Sequence, residues 1–118
     1  MTFEEFSTKT SRTMADLHDT EKNINHTLFG MVTELGEITD LFKKKMAYGK
    51  LFSQEQLMDE TGDLLFYLSE FIRFNKMDIS VILQKNCDKL KIRFPEKFDS
   101  ERAISPDKDT EMQIFIKE

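Results

Sequence analysis

Four glycines and two prolines are all the strong turn-forming residues in 118 positions. These two residue types break regular structure most effectively, so a chain this short of them folds into few elements, and long ones. Hydrophobic residues make up 39% of the sequence, enough for a real core and too many for wholesale disorder. The length fits a single domain over residues 1–118, read as a core over about 20–98 and a C-terminal tail over about 99–118.

The elements announce themselves as helices. Thr2 with Glu5 makes a capping box, and Met1 is placed to staple onto Phe6. Ser53 with Gln56 repeats the pattern, with Phe52 facing Leu57. Asp78 is an N-cap with Met77 facing Ile82, and Asp19 or Thr20 is a weaker cap. Gly49 suits the left-handed residue after a helix, and Pro95 closes the last one. The spacing predicts helices over about 2–15, 20–47, 53–76 and 78–94. Leu28, Val32, Leu35, Leu41 and Phe42 fall near one stripe of the second helix; Leu57, Leu64, Leu68, Phe71 and Ile72 do so on the third. Leu65, Phe66, Tyr67 and Phe74 carry the third helix's apolar surface around its cylinder, which predicts burial against a second subunit. No run alternates as a convincing strand. Residues 97–111 read as a polar connector, and 113–116 as a short strand or docking arm. The expected fold is all-α, four-helix-bundle-like, assembled as a homo-oligomer.

Composition excludes several classes. The lone Cys87 cannot form an internal disulfide and reads as a small core residue rather than a catalytic thiol. No stretch approaches the ~20 apolar residues that span a bilayer. The amphipathic, acidic start MTFEEFSTK is unlike a signal or transit peptide, so the expected setting is cytoplasmic, with no membrane partner. A net charge of −5 is the wrong sign for a nucleic-acid polymer as partner.

The chemistry lies in two acid pairs. Glu34-Leu35-Gly36-Glu37 falls midway along the second predicted helix and Glu60-Thr61-Gly62-Asp63 in the third. Residues three apart share a helix face, where like charges repel by a few tenths of a kcal/mol. A glycine inside a helix costs roughly 1 kcal/mol relative to alanine. Both costs occur twice, at the same relative positions, amid leucines and isoleucines. Carboxylates at a buried face need a counter-charge. Four of them on two helices form an all-oxygen site suited to Mg²⁺, or Mn²⁺, and poorly to zinc. A di-iron bundle would want Glu-x-x-His, and neither His18 nor His26 has an acid three residues before it. The glycines are read as close-approach positions, where a missing side chain lets a facing helix or a ligand come near.

A second constellation follows. Asn86, Lys89 and Arg93 share one stripe of the fourth helix, in a segment (residues 85–97) with five bases and two acids. Beside a carboxylate metal site, this cationic stripe reads as a polyphosphate clamp. Lys43, Lys44 and Lys45 end a helix, where cations are favoured anyway, and are read as mostly structural.

The ELGE block, the ETGD block at this separation, and the later Asn86, Lys89, Arg93 and Phe94-Pro95 resemble the MazG-like all-α nucleoside triphosphate pyrophosphohydrolases. The resemblance runs from about residue 20 to 98. It implies a MazG-type helical bundle assembled as a homodimer or homotetramer. It further implies Mg²⁺-dependent cleavage of a nucleoside triphosphate between the α and β phosphates, releasing a monophosphate and pyrophosphate. On that reading Glu34, Glu37, Glu60 and Asp63 hold metal, with Glu37 also the candidate general base. Lys89 and Arg93 stabilise the polyphosphate and Asn86 orients it. Tyr67, one turn after Asp63, matches a position that contacts substrate in some members. Some members stack the base on tryptophan; this chain has none, which leaves the task to Phe or Tyr. Two rival readings are a phosphoribosyl-ATP pyrophosphohydrolase, which shares fold and motif, and a non-enzymatic helical module that binds metal or a partner. The −5 charge then takes another meaning, because four negatives belong to the proposed metal ligands.

Overall fold

The computed structural model describes residues 1–117, so the last residue of the expected tail, Glu118, lies outside the described residues. The described residues form six α-helices and a single 3₁₀ turn, with no strand. The fold is all-α, as expected, with two more helices than the sequence predicted. None of the helices is long and apolar enough to cross a membrane. The chain divides into two compact units, residues 1–77 and residue 78 onward.

The first unit holds α1 (Phe3–Thr10), the 3₁₀ turn (Ser11–Thr13), α2 (Thr20–Tyr48) and α3 (Gln54–Phe74). The caps sit where the sequence put them. Glu5 N donates to Thr2 Oγ1 at 3.1 Å, and Lys22 N to Asp19 Oδ1 at 2.8 Å, which makes Asp19 the cap of α2. Ser53 and Gln56 form the reciprocal capping box. Gly49 ends α2 at φ 66°, a conformation that favours glycine. The first helix stops earlier than predicted. Thr10 Oγ1 donates to Phe6 O and Thr13 Oγ1 to Thr10 O, and such hydroxyl bonds compete with continued α-helix.

Helices α2 and α3 form an antiparallel hairpin. Gly30 meets Tyr67, Glu34 meets Glu60 and Asp63, and Phe42 meets Phe52, so numbers rise along one helix as they fall along the other. The face of α2 that is turned inward differs from the expected one. Asn23, Thr27 and Gly30 are its buried residues, followed one turn on by half-buried Glu34. The apolar stripe is largely outside: Val32 is 70% exposed, Leu35 52% and Phe42 51%. Small residues on the inner face explain the exchange, because they let the hairpin close. A Cβ on Gly30 would overlap the Tyr67 ring. The acid-flanked glycines play no such part. Nothing lies within 4 Å of a Cβ built on Gly36 or Gly62, which corrects their reading as close-approach positions between helices.

The second unit contains α4 (Ile79–Arg93), α5 (Ser100–Ile104) and α6 (Lys108–Ile116). The stretch read as a connector therefore holds α5 and the start of α6, and residues 113–116 are helical rather than a strand. Asp99 caps α5 by accepting from Glu101 N and Arg102 N, and Asp107 caps α6 by accepting from Thr110 N. Helix α6 is tied to α4. Arg93 Nε donates to Glu111 Oε1 at 2.7 Å and Arg93 Nη2 to Glu111 Oε2 at 2.9 Å, while Lys85 Nζ donates to the carbonyls of Phe115 and Lys117. A bidentate fork with Glu111 only 2% exposed is a strong anchor for a nine-residue helix that could not hold its shape alone.

Candidate metal centre

The hairpin register brings the two acid pairs face to face. One carboxylate oxygen each from Glu34, Glu60 and Asp63 lies within 4.8 Å of the others. Glu34 and Glu60 are half-buried and Asp63 is exposed. Glu37, one turn along α2, stands outside this trio but close enough for its charge to act on both Glu34 and Glu60. Asp59, which the sequence reading passed over, acts on the same two groups. It neighbours Glu60 and stands four residues before Asp63, a spacing that puts it on the same side of α3.

The electrostatics of the trio are unresolved by the protein itself. Among the described residues, no ion pair includes Glu34, Glu37, Glu60 or Asp63. Burial pushes the Glu34 carboxyl above its usual range, and the charges of Asp63, Glu60, Glu37 and Asp59 push the same way. Glu60 is raised by burial first, then by Glu37, Asp59 and Asp63. Oxygen donors in a close group, short of positive charge, fit a hard divalent cation such as Mg²⁺ or Mn²⁺. By contrast Lys44 and Lys43 pair with Asp40 at 2.7 and 3.2 Å, in keeping with a structural reading of that basic run.

A cleft of about 640 Å³ opens beside the carboxylates. Glu34, Asp59, Gly62 and Asp63 form one part of its lining, and Met58, Phe66 and Tyr67 another. Phe6, Thr10 and Thr13 complete it from the N-terminal segment. Tyr67 is fixed by its ring on Gly30 and by an edge contact with Phe66 at 5.2 Å. Thus the structure gathers Glu34, Glu60, Asp63, Tyr67 and, nearby, Glu37 in the first unit. The contribution of α1 to the cleft had no signal in the motif, which begins well after it.

Asn86, Lys89 and Arg93 lie on α4 in the second unit. Asn86 is exposed and Lys89 half-buried. Arg93 is held by Glu111, which keeps the guanidinium charged and draws the Glu111 carboxyl below its ordinary range. The Lys89 charge also acts on Glu111.

By fold and site, the described residues form an all-helical protein whose two long helices bring three carboxylates together beside a cleft. The family model for the MazG nucleotide pyrophosphohydrolase domain matches residues 22–98, about two-thirds of the chain, and the chain belongs to that family. Its members are nucleotide pyrophosphohydrolases, enzymes that hydrolyse phosphoric anhydrides. No curated protein and no solved structure matches the chain.

Proposed function

We propose that the protein is a Mg²⁺-dependent nucleoside triphosphate pyrophosphohydrolase that cleaves ribo- or deoxynucleoside triphosphates between the α and β phosphates. The observation that carries this reading is the uncompensated trio Glu34, Glu60 and Asp63, set at the edge of a cleft large enough for a nucleoside.

Glu34, Glu60 and Asp63, with Glu37 beside them, would hold the cation, and Mn²⁺ suits the same donors. Bound there, it supplies positive charge that offsets both the carboxylates and the substrate's phosphate oxygens. Glu37 accepts a proton from the attacking water as the water oxygen bonds to the α phosphorus. The bond from that phosphorus to the bridging oxygen breaks, and its electron pair leaves on pyrophosphate. The other product is the nucleoside monophosphate. Tyr67 contacts the nucleotide, Lys89 stabilises the polyphosphate and Asn86 orients it. Arg93 joins them through its Nη1 group, which its two hydrogen bonds to Glu111 leave open.

The chain works as a homodimer or homotetramer in this reading, in the cytoplasm. Support comes from the apolar stripe of α2, where Leu28, Val32 and Leu35 are 40–70% exposed on one helix face. Sedimentation velocity giving a mass of two or four chains agrees with it, and a monomer at working concentration removes it.

The decisive assay incubates the protein with Mg²⁺ and a panel of NTPs, dNTPs and phosphoribosyl-ATP, then resolves the products. Monophosphate with pyrophosphate is the expected result. Diphosphate with orthophosphate overturns the bond assignment. Turnover of phosphoribosyl-ATP alone moves the protein to the first rival, and no turnover at all favours a non-enzymatic module.

A further inference from the structure

Helix α6 lies beyond the family match, which ends at residue 98, and it brings one buried acid to a cationic face of α4. Lys85, Lys89 and Arg93 fall four residues apart and share that face. Each of the three engages α6. Lys85 Nζ donates to the carbonyls of Phe115 and Lys117, the Lys89 charge acts on Glu111, and Arg93 grips Glu111 through Nε and Nη2. One carboxylate against three cations leaves these four groups with an excess of positive charge.

A guanidinium carries five N–H donors in one plane. Glu111 takes one from Nε and one from Nη2, at 2.7 and 2.9 Å. Among the described residues no group takes the other three, which are both protons of Nη1 and the second of Nη2. One proton from each of these nitrogens lies along the end edge of the planar fork. That edge can span two oxygens of a phosphate, as the side edge spans the two of Glu111. The Arg93 side chain is 18% exposed and that of Glu111 3%. A ligand can therefore reach the arginine but not the carboxylate that holds it.

Resting on the activity proposed above, in which Arg93 binds polyphosphate, we infer that Glu111 is a positioning residue for that reaction, holding the Arg93 guanidinium so that its end edge is set for phosphate before substrate arrives. An arginine free to turn loses rotamer freedom when it grips a ligand, and one already held loses less. The arrangement has an electrostatic cost, since an anion beside Arg93 opposes the arrival of a second one. Lys89 and Lys85 on the same face offset it. The two effects give opposite signs when the carboxylate is neutralised. Loss of positioning weakens phosphate binding, whereas loss of an opposing charge strengthens it.

Glu111→Gln is the test, because it keeps the size and removes the charge and one acceptor oxygen. The probe is inorganic pyrophosphate with Mg²⁺, titrated calorimetrically into the full-length protein well below the melt of each variant. Glu111→Gln should weaken pyrophosphate binding by about 3- to 10-fold and raise KM for nucleoside triphosphate alike, with kcat within about twofold. Glu111→Asp keeps both oxygens and should recover most of the loss. Beside Arg93→Lys, Glu111→Gln should add nothing, because the fork it serves is gone. Glu70→Gln breaks a buried arginine pair of the first unit and should lower Tm with pyrophosphate binding unchanged. Equal or tighter binding of pyrophosphate by Glu111→Gln overturns the inference. So does an equal loss in Glu70→Gln, or an effect of Glu111→Gln that persists beside Arg93→Lys. If Arg93→Lys binds pyrophosphate as wild type does, the polyphosphate role of Arg93 falls and the positioning role with it. If Arg93→Lys weakens binding and Glu111→Gln does not, the positioning role alone falls. The titration needs no turnover, so a protein that hydrolyses nothing yet shows the expected losses keeps the positioning and loses the activity.

Discussion

The molecule treats its acids in two ways. Glu70 and Glu111 are buried to 0% and 2% exposure, and each is held by an arginine: Arg73 at 2.6 Å and Arg93 at 2.7 Å. Glu34, Glu60 and Asp63 crowd together with no cation among the described residues. A buried acid is given its arginine by the sequence, within α3 for Glu70 and from α4 to α6 for Glu111, because a buried charge left alone is costly. The trio is given none and sits at the surface edge, where water tolerates it and an external cation can reach it. The contrast separates charges that hold the fold from charges that the chain leaves without an ion-pair partner.

The largest effect should come from the trio's side. Asp63→Asn or Glu37→Gln should lower turnover by about 10²–10⁴-fold with helicity intact, as expected for loss of a cation ligand or a general base. The thermal melt is the sharper readout. A cation that binds only the folded state stabilises it by mass action, so Mg²⁺ should raise the wild-type Tm by several degrees and leave Asp63→Asn nearly unmoved. Without Mg²⁺, Asp63→Asn should melt no lower than wild type, since it removes a charge that opposes ionisation of Glu34 and Glu60. A wild-type Tm indifferent to Mg²⁺ would make the trio an ordinary solvated surface and dissolve the contrast.

The second test acts on the paired side. Glu111→Gln leaves the Arg93 guanidinium without its anion and should lower Tm by roughly 5 °C or more, with or without Mg²⁺. Its pH dependence has a fixed sign. The Arg93 hydrogen bond holds the Glu111 carboxyl below its ordinary range, so unfolding in acid takes up a proton. The contribution is complete above the ordinary glutamate value of about 4.3 and is lost as pH falls through the lowered folded value. Wild type and Glu111→Gln should therefore differ most near about pH 7 and converge in strong acid. A gap that stayed constant on acidification would mean that Glu111 acts by packing rather than by charge.

Much of this contrast could be read in the sequence, and the unread part has physical causes. Caps and acid pairs are local: Thr2, Ser53 and Asp78 are set by residues two or three positions away, and so is each pair of carboxylates. The all-helical fold and the meeting of Glu34 with Glu60 and Asp63 follow from two long helices and a short loop. The inner face of α2 was not legible, because hydrophobicity marks a face that prefers to be covered without saying by what. In this chain Thr27 and Gly30 take the inside and Val32 is left out. Helix α6 was missed because Glu111 and Arg93 are 18 residues apart, a pairing that no periodicity reports. The wall from α1 was missed for the same reason.

The smallest effects belong to the glycines, where the hairpin's inside and the site's rim part company. Gly30→Ala sets a methyl against the Tyr67 ring and should cost about 1–3 kcal/mol, with activity falling as the ring is displaced from the cleft. Gly36 and Gly62 meet nothing with an added Cβ, so alanine at either should stabilise the helix by about 0.5–1 kcal/mol. Their activities should then diverge. Gly62 lines the cleft, and a methyl there narrows the space beside Asp63, so Gly62→Ala should raise KM severalfold while melting higher than wild type. Gly36 does not line it, and Gly36→Ala should gain stability with little change in KM. Equal KM values in the two variants would mean that the rim glycine is not there for the ligand. A rise confined to Gly62→Ala would mean that this backbone is kept bare for something that enters from outside, as the neighbouring carboxylates are left without a partner.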